Sequence, residues 1–128
     1  MKNTPNQAVA SFVSALTSGD VELALTHYAV DAVFVTEPGK TISGHHDIRQ
    51  ALCGFVAARA VIDTTSHASL ENGNTALYQS NWTMSGVTPD GSPLHLEGTS
   101  SDVLQRQADG TWLIVIDNPW GSLHLAAA

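Results

Sequence analysis

The chain predicts an α+β fold, a cone in which N-terminal helices pack on one face of a curved, mainly antiparallel sheet. Three observations carry that reading. Apolar residues recur at helical spacing in two stretches before Arg59. Beyond Arg59 the chain turns to long runs with strand-like alternation, and the hairpin pairs Asn72-Gly73, Asp90-Gly91 and Asp109-Gly110 punctuate those runs.

The elements follow in order. Thr4-Pro5-Asn6-Gln7 reads as a helix start, with Thr4 as cap, Pro5 in the first turn where its missing N–H costs nothing, and Gln7 completing a capping box. Val9, Phe12, Val13 and Leu16 then mark a buried stripe. Ser18-Gly19-Asp20 ends this helix and begins a second, capped by Asp20 and carrying Val21, Leu25 and Tyr28. The β-branched and aromatic run Val33-Phe34-Val35-Thr36 predicts a strand closed by Pro38-Gly39. Ile48, Ala51, Leu52, Phe55 and Val56 give the stripe of a third helix after Ser43-Gly44. Strands are then expected over 60–70, 75–85, 93–107 and 111–118, and the Ala126-Ala127-Ala128 tail is expected to fray.

Size and composition narrow the function. At 128 residues the chain is expected to be a single domain over 1–128. With 43% hydrophobic and 13% charged residues it is too apolar for a disordered chain, and it has no run long enough to cross a bilayer. A formal net charge of −7 argues against nucleic acid or an acidic membrane as partner. A small neutral ligand, apolar or carbonyl-bearing, fits better. Cys53 is the only cysteine, which excludes an intrachain disulfide; beside Leu52 in a helix it is expected to be a buried, inert thiol. The amino end lacks the apolar run of a secretory signal, so a cytoplasmic location is the expectation.

Alternation places the chemistry. Ala76, Tyr78, Ser80, Trp82 and Met84 share one face of their strand, the expected core or pocket face. In the next strand Asp102 has the parity of Leu94, Leu96 and Leu104. Asp117 closes the run Trp112-Leu113-Ile114-Val115-Ile116, apolar on both parities and so expected to be covered on both sides, the outer side by a second copy of the chain. A homodimer through the sheet face follows. The five Lys and Arg fall by pattern in tails, turns, exposed helix faces or strand ends. Carboxylates buried without a cation have raised pKa values, the property an acid/base group needs. Two other readings stay open: a bulge before Gln107 would turn Asp102 outward, and Asp117 would equally serve as a cap for the turn at Asn118-Pro119.

Six histidines, His27, His45, His46, His67, His95 and His124, include no pair at the i, i+4 spacing of a helical metal site, so no metal is expected. His67, on a strand, is the histidine placed to line a pocket. Trp120, beside Pro119 and Gly121, is placed to form a cavity rim. No Gly-rich phosphate loop or serine nucleophile elbow is present.

These pieces resemble a known group. The helical hairpin, Tyr28-Ala29-Val30-Asp31-Ala32, the strand ending Glu37-Pro38-Gly39, Gly44 through Ile48, and Asp109-Gly110-Thr111-Trp112 before Asp117-Asn118-Pro119-Trp120-Gly121 are similar to the nuclear-transport-factor-2-like superfamily. Within it the chain looks most like the SnoaL-like and ketosteroid-isomerase-like small proteins, whose fold is the cystatin-like cone. The resemblance covers nearly the whole chain. It implies a general base at Glu37, allowing a one-residue offset, and a protonated oxyanion donor at Asp102, which lies eight residues before Gly110 as the matching Asp does in the isomerases. SnoaL-like cyclases imply an acid/base role for Asp117. The isomerase tyrosine that donates to the oxyanion falls on Phe12, which has no hydroxyl, while Tyr28 matches a supporting tyrosine and a second falls near Leu52.

The expected function is therefore a cofactor-independent isomerase or cyclase that moves a proton next to a carbonyl in an apolar cavity. Glu37, Asp102 and Asp117 are the expected catalytic groups. Phe12, Tyr28, Leu52 and Phe55 on the helical side are expected to contact substrate, with His67, Tyr78, Trp82, Met84 and Trp120 on the sheet side. Flat neutral ketones of steroid-like or polyketide-like character are the expected substrates. The alternative is a non-catalytic ligand-binding or association module of the same fold.

Overall fold

Thr4 begins the first helix as its spacing predicts: its hydroxyl accepts from the Gln7 N–H at 3.1 Å, and α1 (Pro5–Thr17) follows. The computed structural model describes residues 3–126, so the expected fraying of Ala127 and Ala128 lies outside the described residues. Asp20 caps α2 (Val21–Leu25) by accepting from the Leu23 N–H at 3.0 Å. Then come β1 (Tyr28–Glu37), β2 (Lys40–Ser43) and α3 (His45–Ala57). The meander is β3 (Val61–Asn72), β4 (Thr75–Val87), β5 (Pro93–Arg106) and β6 (Trp112–Asp117), and the short α4 (Leu123–Ala126) ends it. Among the described residues, no helix is long and apolar enough to cross a membrane.

The six strands form one sheet in the order β2-β1-β6-β5-β4-β3. All neighbours are antiparallel except β1 and β6, which run parallel. Helices cover one face, giving the expected α+β cone. Ala8, Phe12, Ala15 and Leu16 of α1 and Ile48 and Leu52 of α3 are buried against Tyr28, Phe34, Leu104, Trp112 and Ile114 of the sheet. A second, smaller apolar group, Ala60, Trp82 and Met84 with Phe55, Leu96 and Trp120, fills the other end.

That end is closed by the chain after β6, which folds back across β5. The Asn118 carbonyl accepts from the Ser101 N–H at 2.8 Å, and the Pro119 carbonyl accepts from Trp82 Nε1 at 2.7 Å. His124 Nδ1 accepts from the Gly39 N–H at 3.0 Å, tying α4 to the β1–β2 turn. Two glycines make the crossing possible. A Cβ on Gly98 would stand 2.9 Å from the Pro119 carbonyl oxygen, and one on Gly121, which has φ +54, would stand 2.5 Å from the Thr99 carbonyl oxygen. Gly121→Ala is therefore expected to lower stability by about 1–3 kcal/mol, read as a drop in Tm. Gly73→Ala, in an open turn with nothing near its Cβ, should carry only the cost of its positive φ.

Candidate functional site

Between the helices and the sheet lies a cavity of about 120 Å³, walled by apolar side chains including Val9, Phe12, Leu52, Met84 and Leu96. An engineered cavity of roughly 150 Å³ holds one benzene molecule. The space thus matches a single six-membered ring rather than the four-ring skeleton of a steroid.

Asp102 and Asp117 both face this cavity. The β4–β5 ladder is unbroken from Thr75↔Gln105 to Val87↔Pro93, so no bulge turns Asp102 outward, and it stands opposite Tyr78 on the inner face. Asp117 gets there differently. Leu104 pairs with Ile114 but Val103 pairs with Ile116, leaving Val115 as an extra residue in β6. Such a bulge reverses the alternation: Trp112 and Ile114 point inward, Ile116 points outward with 40% exposure, and Asp117 points inward. Covering on both sides is therefore not what buries Asp117. The turn-capping role falls to its neighbour, because Asp102 Oδ1 accepts from the Asn118 N–H at 2.7 Å.

Tyr28, at the start of β1, donates its hydroxyl to Asp117 Oδ2 at 2.5 Å. Its ring is held by Phe12 edge-on, with centroids 5.2 Å apart, and its carbonyl accepts from His45 Nε2 at 3.0 Å. Burial and then the charge of Asp117 push the Asp102 carboxyl well above the usual carboxylate range, against the pull of the Asn118 N–H. Burial raises Asp117 to about 6, its rise limited by hydrogen bonds from Tyr28 and Asp102. Burial also pushes the Tyr28 phenol well above its ordinary value, and both aspartates add to the rise. Both carboxyls are thus held above the ordinary carboxylate range as one interacting pair, Asp102 being raised the further of the two.

No cation compensates that charge among the described cavity-lining residues. Lys40 pairs with Glu37 and Arg49 with Glu22, both at the surface, while Arg106 lies over Trp112 and bonds to Asn74. Nor do three His, Cys, Asp or Glu side chains cluster for a metal among the described residues.

Most of the expected ligand contacts meet here. Phe12, Tyr28, Leu52, Phe55, Tyr78, Trp82, Met84 and Trp120 all line the cavity. Glu37 does not. At the far end of β1, where the ladder with β2 is irregular between Val35 and Glu37, its side chain is 58% exposed and ion-paired with Lys40 at 3.2 Å. His67 also lies outside the lining: the extra residue Thr65 sets it opposite Ser80 on the inner side of the sheet, its ring stacked on Tyr78 at 5.9 Å, but on the edge strand β3 it stays exposed. Cys53 is exposed rather than buried, on the face of α3 away from Ile48 and Leu52. Ser80 and Ser100 line the cavity without having been singled out in the sequence, although both stand on the faces that alternation marks as inner.

No curated protein matches the chain in sequence. Solved structures match it closely in shape. A nuclear-transport-factor-2-like protein from Salmonella enterica serovar Typhimurium superposes with a TM-score of 0.77 at 18% identity, over 88% of this chain and 84% of that one. SalBIII, an epoxide hydrolase/cyclase-like enzyme with a role in pyran ring formation in the polyether salinomycin, gives 0.71 at 16% identity, over 88% and 85%. The association domain of the C. elegans kinase CaMKII gives 0.68 at 15% identity, over 87% and 88%. At these identities the likeness speaks for the fold. A family model described as the SnoaL-like domain matches residues 9–113, and with that the chain belongs to the SnoaL-like domain family.

Proposed function

We propose that this chain, as a single SnoaL-like domain over 1–128, is a cofactor-independent isomerase or cyclase that transfers a proton next to a carbonyl. The observation that carries the reading is the Asp102–Asp117–Tyr28 cluster, buried in an apolar cavity with no Lys or Arg among the described residues that line it. A carboxylate with a pKa of about 6 is a stronger base than one in water and is still mostly ionised at neutral pH. Asp117 would take the proton from the carbon next to the carbonyl, breaking C–H and forming O–H. Its loss of charge would free the Asp102 O–H, which would then turn to the enolate oxygen. Return of the same proton to a different carbon completes an isomerisation; attack of the enolate within the substrate completes a ring closure.

Glu37 has no part in this scheme, and Phe12 gives the substrate a wall rather than a hydroxyl. A neutral ketone of one ring, or the ring end of a longer molecule, fits the volume.

A second reading, association between copies, is favoured by the outer face. The bulge that turns Asp117 inward sets Ile116 outward between Val33 and Val103, an apolar row across β1, β6 and β5. A copy of the same sheet would cover it. Both readings are compatible, since the cavity opens on the other face.

Deuterium exchange of a small cyclic ketone, or isomerisation of cyclohex-3-enone to the conjugated enone, tests the chemistry. Asp117→Asn should lower the rate by about 10²–10⁴, and Asp102→Asn should lower it less, because an amide N–H copies the neutral acid as a weaker donor. The rate should fall tenfold per pH unit below about 6 as Asp117 takes a proton. Rates equal to wild type in Asp117→Asn would remove the proposal.

Stability should respond to the same group. Because its folded pKa lies above the unfolded one, the contribution of Asp117 is full below about pH 4 and is lost as pH rises through about 6. Urea unfolding should show about 3 kcal/mol less from this group at pH 7 than at pH 4, and Asp117→Asn should flatten that dependence. For the outer face, sedimentation should give a dimer at tens of micromolar protein and a monomer for Ile116→Lys; a wild-type monomer would overturn the association.

A further inference from the structure

The inner face becomes polar a second time, two residues back along β5 from Asp102. Ser80 and Ser100 stand directly opposite each other on β4 and β5, with hydroxyl oxygens 2.6 Å apart. Both line the cavity, and they are only 8% and 4% exposed. A strand rises about 3.3 Å per residue, which puts Ser100 about 7 Å from Asp102 along the strand. The ladder between β4 and β5 has no irregularity, so both side chains leave the same face at that offset. The span is comparable to that between two oxygens on opposite corners of a six-membered ring.

A count of protons shows what the serines can do. Each hydroxyl carries one proton and accepts on two lone pairs. Ser100 and Ser80 form a row of two hydroxyls with one internal link, in which either can be the donor. One O–H is left over, and the row can point it toward either end. With Ser100 as the free donor, the row meets a carbonyl; reversed, it accepts from an alcohol. A buried hydroxyl left without a partner is costly, and alanine would serve a purely apolar wall at this position better.

Charge settles which partner suits it. No Lys or Arg is among the described residues lining the cavity, and Asp117 carries its negative charge there, so a carboxylate or phosphate would be repelled. A cation would sit on Asp117 itself rather than on neutral hydroxyls.

We propose that Ser80 and Ser100 form a second subsite that holds a neutral carbonyl or hydroxyl oxygen, so that the cavity takes one-ring compounds with two oxygens on opposite sides of the ring. This rests on the carboxylate pair being the place where the first oxygen and its neighbouring carbon bind. The subsite would set which ring enters and in which direction; it takes no part in moving the proton.

Two ring compounds of nearly equal size make the test: 4-methylphenol, and hydroquinone kept under nitrogen, which has a hydroxyl in place of the methyl. Affinities are read by NMR titration of the wild type and of a Ser80→Ala, Ser100→Ala double variant. The wild type should prefer hydroquinone by about tenfold, and the double variant should lose the preference while still binding 4-methylphenol. Comparing two ligands within one protein guards against misfolding, which would abolish both, and Ser100→Ala alone should give an intermediate preference. Equal affinities in the wild type, a preference that survives the double variant, or no binding of hydroquinone at millimolar concentration would each overturn the subsite. Ketone exchange measured on the same samples separates the two proposals. Exchange without the preference overturns the subsite and leaves the proton chemistry; the preference without exchange keeps the subsite and removes the catalytic reading.

Discussion

Two carboxyl groups sit side by side in an apolar cavity, with no arginine or lysine among the described residues that line it. Two charges so close in a poorly polarisable medium would repel strongly, and that repulsion, added to burial, pushes the Asp102 carboxyl well above the usual carboxylate range. Asp117 bonds to the Tyr28 hydroxyl and to Asp102, while the Asn118 N–H satisfies the other end of Asp102. Each donor makes a demand on the fold. Tyr28 must start β1 beside β6, Asn118 must turn directly after the last strand, and β6 must carry an extra residue at Val115.

The walls matter as much as the acids. Phe12, Leu52, Ile114 and Trp82 keep water away from the pair, and the chain after β6 closes the end near Trp82 by crossing glycines that leave room for its backbone. Opening that end would wet the cavity and relax both aspartates toward ordinary values. The cover is thus part of the electrostatics. It is held by the Trp82 N–H of β4 and by His124 on the β1–β2 turn.

Of the two acids that the isomerase resemblance implies, Asp102 lies in the cavity and Glu37 does not. The position expected for a base, Glu37, has slipped to the rim and into an ion pair with Lys40. The last strand brings Asp117 to the cavity beside Asp102. A fold that serves a cyclase-like enzyme and a kinase association domain alike does not decide the chemistry; the residues in the cavity have to carry that argument.

The α+β class, the order of elements and the turns were legible in the sequence because they depend on local chemistry: Thr4 and Asp20 cap, Gly19 turns, and alternation along β4 and β5 marks Tyr78, Trp82 and Asp102 as inner. Tertiary structure decided what depends on register. Alternation alone would have put Asp117 opposite in sense to Ile114, and only a bulge at Val115 brings it in; an irregular end to β1 left Glu37 outside, and the place of β3 at the sheet edge left His67 exposed although its register sets it opposite Ser80. A bulge leaves little trace in composition, because it is set by how neighbouring strands twist and pair. The buried serine pair was hidden for a related reason: each serine is unremarkable in its own strand, and their meeting is a property of the ladder between β4 and β5.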